Sequence, residues 1–201
     1  MAEERKTKVS LHDLSREIPP LDEVDSLLSS LTNMEARAAA LIMASILDNF
    51  LESAVASCFV KLSATKYNSL FRDRQAPFSS FANKISVGYA LGVYNDGIRA
   101  QLDGIRSIRN AFAHTMTAID FNHPVVATAC NNLNPSLVSG KPFLAESPRD
   151  KFIGTGTLIG IVIISFVRDR AIAIQSGEHT APSAYVCKFE SRPLPETQNP
   201  D

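Results

Sequence analysis

The residue types best suited to chemistry stand in one run, Ile105-Arg106-Ser107-Ile108-Arg109-Asn110-Ala111-Phe112-Ala113-His114. Wound as an α-helix, the run puts Ile105, Ile108 and Phe112 on one side. Arg106, Asn110 and His114 recur every fourth position on the other side, with Asp103 beside them and Arg109 at the border. Two guanidiniums, an amide and an imidazole thus meet on the last turns of one amphipathic helix. Such a set suits cleavage of an RNA strand without a metal. Histidine can serve as the base for a 2′-hydroxyl because it exchanges its proton near neutrality. Arginine grips two phosphate oxygens in its planar fork and keeps its charge. A cation in the last turn also meets the favourable end of the helix macrodipole. No other histidine is placed to share the work: His12 and His179 fall in expected tails, and His123 precedes Pro124 in a turn.

The segment Arg109-Asn110-Ala111-Phe112-Ala113-His114 resembles the signature of the HEPN superfamily, an Arg and a His separated by four to six residues. The wider run from Pro77 to His114 is similar to the mannitol operon repressor-like family. It includes Phe78-Ser79-Ser80-Phe81-Ala82-Asn83-Lys84-Ile85 and Tyr89-Ala90-Leu91-Gly92. Ser147-Pro148-Arg149-Asp150-Lys151-Phe152 resembles the way that family opens its last helix. Together these likenesses cover most of the span from about Met34 to Arg170. The resemblance implies a helical bundle that forms a homodimer, with a composite nuclease site built from one Arg and one His of each protomer. On this chain those residues are Arg109 and His114, with Asn110 as the polar residue that often follows the Arg. The mannitol-repressor-like proteins are described as transcription regulators without a recognised DNA-binding module. The same resemblance therefore implies a second function, a non-enzymatic regulator that contacts a transcription factor or an antitoxin-like protein.

Composition sets the outer limits. With 201 residues, 45% of them hydrophobic and 20% charged, the chain can bury a sizeable core as one domain with tails. A formal charge of -1 confines any nucleic-acid contact to a local patch. The chain has no Trp, and no basic and aromatic stacking platform for single strands is visible. Cys58, Cys130 and Cys187 form no CxxC, so neither a disulfide framework nor a metal site is expected, and a reducing cytoplasm fits. The charged start, Met1-Ala2-Glu3-Glu4-Arg5-Lys6, does not read as a secretory signal. No phosphate-binding glycine loop, zinc-protease helix or nucleophile elbow occurs, and no cofactor is expected. The cations of the 95–114 helix lie late in it, not at its N-terminus, which speaks against direct reading of DNA.

The elements that must position Arg109 and His114 read as helices. Residues 1–20 are polar, close on Pro19-Pro20 and read as a flexible arm; 21–175 read as a single helical domain; 176–201 form a polar, proline-containing flexible tail. Within the domain, 21–31 predicts a small helix, and Asn33 is a candidate N-cap for a long, mostly buried helix over 34–62. Asp48, Asn49 and Glu52 lie nearly in a row on that helix. They read either as a solvent strip or as a carboxylate pair, Asp48 and Glu52, that orients Arg106 or Arg109. Residues 66–71 add a turn of helix. Ser79 or Ser80 caps a helix running to Leu91 and ended by Gly92, and Asp96 opens the motif helix. A short helix over 125–131 and a long loop over 132–148 follow. The uncharged run from Phe152 to Val167 contains Gly156 and Gly160 at GxxxG spacing. It is short for a membrane span and reads as a core helix that a neighbour can approach closely, extending to about residue 172. In the tail, Ala184 to Phe189 could form a short strand or dock on the bundle. The expected fold is all-α, a compact bundle without membrane contact.

Overall fold

The structure is a computed structural model that describes residues 21–176, with side-chain surroundings from Ser26 onward. Its elements are α1 (Leu21–Ser30), α2 (Ala36–Ser57), α3 (Ala64–Phe71), α4 (Phe81–Ala90), α5 (Asp96–His114), α6 (Pro124–Asn131), α7 (Pro135–Ser139) and α8 (Pro148–Gln175). All are helical, and no strand occurs among the described residues. The arm, the tail beyond Ser176 and the Ala184–Phe189 segment lie outside the described residues.

The two long apolar helices, α2 and α8, form the centre. A Cβ added at Gly156 would come within 2.5 Å of Met43 Sδ, and one at Gly160 within 3.4 Å of Phe50. The GxxxG therefore lets α2 lie close against α8. Phe152, Ile159 and Ile163 of α8 and Met43, Leu47 and Leu51 of α2 are fully buried there. Each such side chain contributes about 1.5–3 kcal/mol through the apolar surface it removes from water. Among the described residues, α2 is the one helix long and apolar enough to cross a membrane by length and composition, and more than half of its most apolar window is buried in the bundle.

The motif helix α5 packs on α2, α4, α6 and α8 through Ile98, Leu102, Ile105, Ile108 and Phe112, the face its periodicity predicts. Asn95 caps it, its side chain accepting from the Ile98 amide at 3.0 Å, with Asp96 as the first helical residue. Ser80 caps α4, and Gly92 follows that helix at φ 71°, a conformation that favours glycine. Under the end of α5, the Phe112, Phe121 and Phe152 rings pack in succession, tilted to one another, with centroids 5.0 and 5.4 Å apart.

Several boundaries differ from the sequence expectation, most of them through a long-range contact. The second helix starts at Ala36, capped by Glu35 and not by Asn33. Arg149 of α8 donates to the carbonyls of Leu31 and Met34, and this fastens the turn over residues 31–34 that precedes Glu35. The same helix stops at Ser57, short of residue 62. There Arg170 Nε donates to the Ser57 carbonyl at 3.0 Å, and Phe59 turns to pack on Phe71 and Phe78. The expected loop over 132–148 contains α7, opened by the buried Pro135, while the Asn134 amide is tied to Gln101 of α5. The last helix opens at Pro148, within the Ser147–Phe152 segment, where Ser147 caps it locally; it thus starts about one turn before the uncharged run at Phe152 and continues to Gln175.

Candidate functional site

The motif residues occupy the last three turns of α5. Phe112 and Ile108 anchor this end of the helix in the core, so the opposite side is turned outward by packing. His114 is the final helical residue. It is exposed, and its imidazole makes no hydrogen bond or ion pair among the described residues. Arg109 is half-buried and donates from Nη1 to Asn110 Oδ1 at 3.0 Å. Arg106 is half-buried as well, its Nε 3.4 Å from Asp103 Oδ1. His114 stands five positions after Arg109, so on one helix they point about 140° apart and lie about 7.5 Å apart along the axis. Within one protomer they flank Asn110 and do not touch.

Two arginines from other helices stand near this end. Arg37, in the first turn of α2, sends Nη2 to the Thr115 carbonyl at 3.0 Å and the Thr117 carbonyl at 3.3 Å. Arg149 lies over the Phe121 ring, with its guanidinium carbon 5.6 Å from the centroid. Glu35 answers both. Its carboxyl is held below the usual carboxylate range, first by the Arg37 and Ala38 backbone N–H groups and then by the charges of Arg37 and Arg149.

Asp48 and Glu52 are engaged elsewhere. Lys84 of α4, only 1% exposed, puts Nζ 3.0 Å from Asp48 Oδ1 and 3.0 Å from Glu52 Oε2. Tyr67 donates its hydroxyl to Glu52 Oε1 at 2.9 Å, and Arg72 Nε lies 3.8 Å from the same oxygen. Two carboxylates and two cations balance in the wall of the bundle, and the hydrogen bonds of Arg106 and Arg109 go to their own helix. Lys84 has a legible signal that the sequence reading passed over. It lies on the stripe Phe81, Lys84, Ile85, Gly88, all four buried, where a lysine must find an anion.

Among the described residues, no three His, Cys, Asp or Glu side chains gather as a metal site. No protein-family model matches the chain, and no curated protein or solved structure matches it significantly. The functional reading therefore rests on the residues themselves and on the resemblance they carry.

Proposed function

We propose that this chain is a cytoplasmic regulatory protein of HEPN and mannitol-repressor-like type that cleaves RNA without a metal, through a site completed in a homodimer. His114 handles the proton of the 2′-hydroxyl, Arg109 stabilises the charge that develops on the phosphate, and Asn110 steers the Arg109 guanidinium. Arg106 adds a second cation on the same strip. The observation that carries this reading is the uncommitted, exposed His114 at the end of the helix that presents Arg109. The 140° between the two side chains is the reason for a dimer. A second copy brought to this helix end sets the Arg of one protomer near the His of the other and doubles the local positive charge. Asp48 and Glu52 serve here as the partners of Lys84.

A second reading, a non-enzymatic transcriptional regulator acting through protein contacts, is favoured by the outward side of α8. Ile161 and Ile172 are exposed there, on one side of the helix, and Ile174 is exposed in its last turn. Ile161 lines a shallow apolar groove of about 140 Å³ with Leu28, Ile46 and Phe50. Exposed apolar surface of this kind is what protein partners cover. Measuring RNA affinity across a salt series separates the two. The nuclease reading expects binding that weakens as salt rises and drops further in Arg109→Ala. RNA-independent capture of a transcription factor, with no salt-dependent RNA binding, would favour the second reading.

A further inference from the structure

We propose that Arg37 is a positioning residue for His114; its catalytic consequence rests on the nuclease reading above. The end of a helix leaves its last carbonyls without intrahelical partners and is the part that frays most readily. In α5 that end carries His114, whose imidazole makes no bond of its own to hold it. Its orientation is therefore set by the backbone on either side. On the helix side, the Thr115 amide closes the last turn by donating to Ala111. On the other side, the chain leaves in an extended conformation at Thr115, with φ -71° and ψ 128°. Packing does little to hold this segment: Met116, Thr117 and Ala118 are all exposed, and Met116 fully so.

What reaches it from another element is Arg37. One nitrogen, Nη2, takes the carbonyls on both sides of Met116. This fixes the exit path of the chain one residue beyond His114 and turns Met116 outward. Arg37 is itself well placed for the task. It lies in the turn capped by Glu35, and the chain just before that turn is fastened to α8 by Arg149. A continuous series of contacts thus runs from the start of α8, through the start of α2, to the end of the motif helix.

The test uses the full chain with Arg37→Met, which keeps an apolar stem of similar reach and removes the donors, and Arg37→Lys, whose ammonium can replace a single nitrogen facing two carbonyls. Three readouts are needed: amide exchange at Ala113, His114 and Thr115, the imidazole resonances of His114 with His123 as internal reference, and kcat and KM for RNA cleavage. With Arg37→Met, exchange at the three amides should rise about ten-fold against unchanged core amides of α8. The His114 resonances should shift while those of His123 stay. kcat should fall by about 10–100-fold with KM within about two-fold, since displacing a reacting group by about 1 Å is enough for that. Arg37→Lys should recover part of each effect. Wild-type exchange and resonances in Arg37→Met would overturn the proposal. A raised KM with unchanged kcat would also overturn it, by making Arg37 a substrate contact. If the wild type cleaves no RNA, the nuclease reading falls, and the exchange and resonance data alone decide whether Arg37 sets His114.

Discussion

Replacing Lys84 with Met should destabilise the fold more than any change at the candidate site. The side chain is 1% exposed and answers two carboxylates at 3.0 Å each. Methionine matches its shape and fills the same space, so packing changes little. What changes is charge. Glu52, at 6% side-chain exposure, keeps the Tyr67 hydroxyl and the more distant Arg72, while Asp48, at 27%, can still turn to water. The cost therefore falls mainly on Glu52. Removing one partner of a buried ion pair costs about 3–5 kcal/mol, and the remaining Tyr67 and Arg72 contacts put this case near the lower end. For a chain of this size, that lowers Tm by on the order of 10 °C. Urea unfolding followed by far-ultraviolet dichroism gives the number directly. The reasoning also requires that Glu52→Gln, added to Lys84→Met, restores at least about 1 kcal/mol, because the orphaned charge is then gone. A loss below about 1 kcal/mol in Lys84→Met, or a double variant weaker than the single one, would refute it.

Other consequences follow from the packing and the titrating groups. Gly156→Ala drives a methyl into Met43 and should cost about 1–3 kcal/mol, whereas Gly160→Ala meets Phe50 and Leu47 at ordinary contact distance and should gain up to about 1 kcal/mol of helix propensity; thermal unfolding of the two variants checks the opposite signs. Burial pushes the Cys130 thiol up to about 12, so almost none is thiolate at pH 8. Peptide-resolved alkylation should find Cys130 unmodified in the native protein and modified once urea unfolds it. The Glu35 carboxyl is lowered by its capping bonds from a usual 4.5, so its contribution is fully present above that value and is lost as pH falls through the folded value. Glu35→Gln should therefore be less stable than wild type at pH 7, with the difference shrinking as pH falls through the folded value; equal stability across the whole range would mean that the cap contributes nothing.

Much of the architecture was legible because local signals and global packing agree. The i, i+3, i+4 spacing of Ile98, Leu102, Ile105, Ile108 and Phe112 fixes the buried face of α5, and so fixes which way Asn110 and His114 must point. Gly156 and Gly160 announced a close helix crossing, and α2 supplies it. What was not legible came from residues far apart in sequence. Nothing near Glu35 announces that Arg149 will fasten the turn before it, and nothing near Ser57 announces Arg170. The roles of Asp48 and Glu52 were open for the same reason. Two carboxylates on a helix declare that a cation is wanted, but not which one. Lys84 was the candidate to weigh, because a lysine on an apolar stripe has few other ways to be satisfied. Arg37 gave no local signal, since its partners are backbone carbonyls 78 and 80 residues away.

On the function proposed above, Arg109 and His114 cleave RNA without a metal. The most direct test is incubation of a mixed RNA pool in EDTA with wild type, His114→Ala and Arg109→Ala side by side. Both residues lie toward solvent and away from the Lys84 cluster, so all three proteins should share one unfolding midpoint. Wild type alone should cleave, leaving cyclic-phosphate ends from attack by the 2′-hydroxyl. RNA left equally intact by all three proteins would contradict it.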